Sequence, residues 1–84
     1  MIYAYLFINL NTDQDNDNIL DLVKDLPHVK EAYRLYGTYD MVLILEVEST
    51  NHLKEVTLQS VRRLINVEST VTFLALESYF KPKN

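Results

Sequence analysis

In the stretch IYAYLFINL, residues 2 to 10, neither of the two alternating sets of side chains is polar. A strand points successive side chains to opposite faces. Tyr3, Tyr5 and Phe7 therefore share one face, and Ala4, Leu6, Ile8 and Leu10 the other, with polarity arriving only at Asn9. Residues 40 to 48 repeat the pattern. Met41, Leu43, Leu45 and Val47 lie on one side and Val42 and Ile44 on the other, which turns acidic only at Glu46 and Glu48. VESTVTFLAL, residues 67 to 76, is a further strand with apolar or aromatic residues in both alternating sets. Sheets built from strands of this kind need cover on both faces.

The segments between supply cover for one face only. Residues 15 to 26 read as a helix, with Ile19, Leu22, Val23 and Leu26 at helical spacing and Asp13, Asp15 and Asp17 as N-cap candidates. Pro27 stops it. Residues 29 to 36, VKEAYRLY, form a second strand of mixed polarity, and Gly37 to Tyr39 turn the chain into the third. Ser49 caps a second helix over about 50 to 64, whose stripe of Leu53, Val56, Thr57, Ser60, Val61 and Leu64 faces the core. Asn66 follows, where a left-handed residue often ends a helix. The order β-α-β-β-α-β predicts an α+β, ferredoxin-like fold, with a four-stranded antiparallel sheet and both helices on one face. Residues 1–78 make the domain and 79–84 a C-terminal tail, frayed beyond Phe80.

The opposite face would be an apolar patch that soluble monomers rarely expose. Covering even ~500 Å² of it at ~25 cal/mol per Å² is worth ~12 kcal/mol before association costs. Tyr79 and Phe80 are too few to shield it, so the sheet is expected to stack on a second copy as a dimeric α+β barrel.

Gly37 is the only glycine in the 84 residues. It supplies a positive φ in the turn. Asp40 starts the most apolar strand, where a carboxylate needs partners. Those partners are either the N–H groups of its own turn or a cation from outside.

The sequence YGTYDMVLILEVES, the helix LKEVTLQSVRRL and the segment INVESTVTFLAL, in this order, resemble the effector-binding RAM domain of the Lrp/AsnC family of transcriptional regulators. The resemblance covers about residues 2 to 77. The family often has Gly before the last strand, where this chain has Asn66. In the family a DNA-binding helix-turn-helix normally precedes this domain. Here Met1 leads directly into the first strand, so the chain resembles the stand-alone RAM proteins. The resemblance implies dimers that assemble into octamers or similar rings, co-assembly with full-length Lrp-like regulators, and amino-acid effectors held between subunits. It places the effector near Gly37, Thr38, Tyr39 and Asp40. Asp40 would accept the ammonium, and turn N–H groups would donate to the carboxylate. Ser69, Thr70 and Thr72 of a neighbouring subunit would add hydroxyls. Alternation puts Thr70 and Thr72 on one face and Ser69 on the other. The implied function is an amino-acid sensor in transcription regulation, non-enzymatic and without a cofactor.

Other readings are weaker. Twelve acidic and eight basic residues give a net charge of −4, unlike a module that neutralises phosphates, so direct nucleic-acid binding is not expected. Asp13, Asp15 and Asp17 imitate the start of a calcium loop, but Asn18 and Lys24 occupy its glycine and bidentate glutamate positions. His28 and His52 have no ligand-spaced neighbours, no catalytic set is legible, and no metal site is expected. No cysteine is present, and Ile2 to Ile8 has neither the flanks of a signal peptide nor the length to span a bilayer. These features predict a soluble cytoplasmic protein. The alternative is a small enzyme of the dimeric α+β-barrel kind (monooxygenase or isomerase-like), with Tyr3, Tyr5, Tyr33 and Tyr36 lining a cavity. Aromatics at strand positions are more often packing.

Overall fold

The computed structural model describes residues 1–83. Four strands, β1 (Ile2–Leu10), β2 (Val29–Arg34), β3 (Met41–Val47) and β4 (Val67–Leu74), form one antiparallel sheet in the order β2-β3-β1-β4. Helix α1 (Ile19–Val23) follows β1, and α2 (Thr50–Val56) follows β3. This is the ferredoxin-like order expected from the sequence. Ala4, Leu6, Ile8, Leu10, Met41, Leu43, Leu45 and Val47 are buried against Ile19, Val23, Leu53, Val56 and Val61 in a single core. Both helices therefore cover the same face.

The strands end earlier than their apolar composition suggests. β2 stops at Arg34 rather than residue 36, and β4 at Leu74 rather than residue 76. The acids before α1 do not extend the helix. Asn11 Oδ1 accepts from Asp13 N–H at 2.9 Å and Asp15 Oδ1 from Asp17 N–H at 3.0 Å. These local side-chain bonds offer the backbone an alternative to helix. The N-cap is Asn18, with no side-chain cap bond, and α1 has only five residues.

The second helix starts as expected, with Ser49 Oγ accepting from His52 N–H at 3.1 Å. It does not run to residue 64 as one α-helix. From Thr57 to Val61 it widens into a π turn, closed by Arg62 N–H donating to the Thr57 carbonyl, five residues back, at 2.9 Å. Val56 and Val61, five apart, are thereby both buried.

One backbone expectation is overturned. Asn66 is not left-handed. Among the described residues, the left-handed non-glycine residue is His28, with φ 70°, directly after Pro27. Asn66 is instead buried, 6% exposed. Its Nδ2 donates to the Asp15 carbonyl and to Asn16 Oδ1, and its carbonyl accepts from Asn11 N–H. It ties the entry of β4 to the loop after β1.

The sheet face away from the helices carries Tyr5, Phe7, Val71 and Phe73 from the paired strands β1 and β4. Tyr5 is 40% exposed and Phe73 55%. The tail reaches the sheet at Phe80, whose ring meets Tyr3 edge-on at 5.7 Å. Phe80 itself stays exposed. The expectation of fraying beyond Phe80 concerns a segment whose last residue, Asn84, lies outside the described residues. No helix among the described residues is long and apolar enough to cross a membrane.

Candidate functional site

The turn between β2 and β3 is held from beneath by Asp40. Its N–H donates to the Ile8 carbonyl at 3.0 Å, and its own carbonyl accepts from Leu35 N–H at 2.8 Å. The carboxylate accepts from Leu10 N–H at 2.7 Å. Asp40 thus partners the end of β1 rather than its own turn, and its second oxygen, Oδ1, has no hydrogen-bond partner among the described residues.

Gly37 has the expected positive φ, 156°, and a Cβ there would meet nothing within 4 Å. Conformation, not crowding, selects glycine. The N–H groups of Gly37, Thr38 and Tyr39 find no acceptor among the described residues. The Tyr39 ring lies on Phe7, with centroids 5.3 Å apart, and so belongs to the helix-free face.

Ser69 shares that face. It pairs with Asn9, whose Nδ2 donates to Ser69 Oγ at 3.3 Å. Asp40 bonds Ile8 through its N–H and Leu10 through its carboxylate, the two residues that flank Asn9. Asp40, Asn9 and Ser69 form a row across one end of the sheet, with Asp40 and Ser69 about 10 Å apart by two strand spacings. Asn9 completes the row and was legible only as the first polar residue in an apolar strand.

Thr70 and Thr72 point to the other face, as alternation requires. They pair with the buried Ile8 and Leu6. They line a groove of about 530 Å³ between β4 and the second helix, together with Thr50, Leu53, Lys54, Thr57, Leu58, Arg62 and Leu74. Within one chain, the structure therefore groups Gly37 to Asp40 with Ser69 but not with Thr70 and Thr72. The groove has no signal in the sequence, because a continuous helix to residue 64 was expected over this part of the sheet.

The two histidines, far apart in sequence, meet. Their Nε2 atoms are 3.1 Å apart, and His52 Nδ1 accepts from Glu48 N–H at 3.1 Å. No group of three or more His, Cys, Asp or Glu side chains able to hold a metal occurs among the described residues. On β2 the Tyr33 hydroxyl donates to the Glu31 carboxylate. That bond, and then the carboxylate's negative charge, raise the phenol above the ordinary tyrosine value.

Residues 3–84 match the sequence profile of the family described as Lrp/AsnC ligand binding domain. The chain belongs to this family. Curated protein sequences contain no match to it. Among solved structures, Escherichia coli AsnC superposes with a TM-score of 0.86 at 22% identity, over 99% of this chain and 56% of that one. A feast or famine regulatory protein of Mycobacterium tuberculosis, complexed with L-methionine, gives 0.83 at 24% identity, over 100% of this chain and 56% of that one. A protein of Thermus thermophilus gives 0.79 at 30% identity, over 96% of this chain and 100% of that one. The Lrp/AsnC domain here thus spans about half the length of the first two and the whole of the third. The first two likenesses speak for the fold. The family match makes ligand binding the activity to explain.

Proposed function

We propose that this Lrp/AsnC domain is a non-enzymatic sensor of amino acids that works as an oligomer, with a role in transcription regulation. The observation that carries the reading is the Asp40-held turn. It carries a carboxylate oxygen and, in the three residues before Asp40 in sequence, backbone N–H groups, none of which has a hydrogen-bond partner among the described residues. A free amino acid has the matching pair, an ammonium for Asp40 Oδ1 and a carboxylate for the N–H groups of Gly37, Thr38 and Tyr39. Tyr39, packed on Phe7, walls the site.

Hydroxyls of Ser69, Thr70 and Thr72 would come from neighbouring subunits. The uncovered aromatic sheet face favours a dimer, and further assembly, to an octamer or with full-length Lrp-like regulators, would juxtapose these groups. The L-methionine bound by the M. tuberculosis regulator supports the amino-acid class. Likeness to the T. thermophilus protein, covered over its whole length, supports action as a stand-alone module.

The test is a thermal-shift screen against the twenty amino acids. A ligand at 100 times its Kd adds about 2.7 kcal/mol of stability. Asp40→Asn keeps an acceptor for Leu10 N–H but loses the charge, and should abolish the shift without changing the assembly. A shift that survives this substitution places the site elsewhere.

A further inference from the structure

We propose that the outer edge of β4 pairs antiparallel with β4 of a second copy about a two-fold axis, joining two sheets into one. This copy is additional to the one expected on the helix-free face, and the pairing does not rest on the amino-acid reading of Gly37 to Asp40.

Strands β2 and β4 are the two edges of the sheet. An edge offers unpaired N–H and C=O groups to any other chain, and proteins normally blunt it with charges, bulges or cover. β2 is blunted. It carries Lys30, Glu31 and Arg34, its register shifts between Val29 and Glu31, and Arg34 Nη1 donates to the Asn16 carbonyl at 3.0 Å. β4 is not. Its single charge, Glu68, and its register shift lie at its start, which leaves Ser69 to Leu74 regular and uncharged. It contains no proline, and Val71, Thr72, Phe73 and Leu74 are exposed.

The ladder fixes which backbone groups are free. Ala75 N–H donates to the Tyr3 carbonyl at 2.9 Å. Bonds in an antiparallel pair fall on alternate residues, so Phe73, Val71 and Ser69 also turn their backbone groups toward β1. Thr70, Thr72 and Leu74 turn theirs outward. A two-fold axis at Thr72 sets Thr72 against Thr72 and Thr70 against Leu74, so outward groups meet only outward groups. On the helix-free face the same axis sets Val71 against Phe73, an apolar cross-strand pair that continues the aromatic face from one copy to the next. No like charges are opposed, because Glu68 would face Leu76. A second copy is therefore a partner that matches this edge in hydrogen bonding, polarity and charge. Only backbone groups of Thr70 and Thr72 are used, and their hydroxyls stay free.

The chain has no cysteine, so a single Thr72→Cys reports the contact. Across the axis the two Cα atoms would lie about 5.5 Å apart, within disulfide range. Mild oxidation of the whole protein should give a covalent dimer. Thr72 points to the helix side, so a copy stacked on the other face cannot reach it. Lys30→Cys, on the blunted edge, should not cross-link. Thr72→Lys sets like charges directly opposite each other at an exposed position, and sedimentation should show the assembly mass at least halved with the circular-dichroism spectrum unchanged. Thr72→Pro removes an outward N–H and no bond to β1, and should act in the same way. Tyr5→Glu, on the central strand, should split the contact on the face but keep the Thr72→Cys cross-link, so a failure of the face reading shows separately. The edge pairing is overturned if Thr72→Cys does not cross-link, if Lys30→Cys cross-links as readily, or if Thr72→Lys and Thr72→Pro both keep the full mass.

Discussion

The Asp40 carboxylate holds the backbone N–H of Leu10, 30 residues earlier, at 2.7 Å. Together with its backbone bonds to Ile8 and Leu35, this one residue fixes the end of β1, the start of β3 and the glycine turn between β2 and β3. The acidic residue beside the greasiest strand is a structural partner first, with one oxygen left over.

Removing that partner should cost stability. Asp40→Ala leaves a part-buried N–H unsatisfied, a loss of about 1–3 kcal/mol. Asp40→Asn retains an acceptor and should cost less than half as much. Urea unfolding of the three proteins, compared at equal m-values, provides the check.

Asn66 gives a sharper contrast between sequence and structure. A left-handed residue there would make Asn66→Gly neutral or stabilising. Asn66 instead has no positive φ and bonds to Asp15 and Asn16 from a buried position. Both Asn66→Gly and Asn66→Ala should therefore destabilise by about 1–3 kcal/mol, and thermal melts of the two variants decide the matter.

The histidine pair has a defined tautomer. His52 Nδ1 accepts from Glu48 N–H, so in the neutral ring the proton sits on Nε2 and points at His28 Nε2. His28 then carries its proton on Nδ1. Long-range nitrogen–proton correlation spectra of the neutral rings should show these opposite tautomers, and two like tautomers would refute the pairing.

Tyr33 should ionise above the ordinary tyrosine value. Its hydrogen bond to Glu31, then the charge of that carboxylate, favour the protonated phenol in the folded state. A raised folded value means that the stabilisation is present below the ordinary tyrosine value, near 10. It is lost as pH rises through the folded one. Ultraviolet titration of the wild type and Glu31→Gln should show Tyr33 ionising at lower pH in the variant.

The parts of the fold written in side-chain alternation were legible. Ala4, Leu6, Ile8 and Leu10, and Met41, Leu43, Leu45 and Val47, are buried as their spacing requires. Ser49 caps α2 as its identity suggests. What stayed hidden depends on competition between local bonds. Asn11 and Asp15 spend their carboxamide and carboxylate on nearby N–H groups and so shorten α1. The π turn is invisible in a stripe that suits either helix. It determines which residues line the groove. At the site, Gly37 and Asp40 announced themselves by type, whereas the contribution of Asn9 needed the register of β1 against β3 and β4.

The covering of the helix-free sheet face by a second copy is the central claim, because the proposed amino-acid site would draw groups from neighbouring subunits. Phe73→Glu should split the assembly by burying a charge in it. The most direct measurement is the mass of the unaltered protein by sedimentation at micromolar concentration. A species of at least twice 9.9 kDa is predicted. A stable, soluble 9.9 kDa particle would contradict the account.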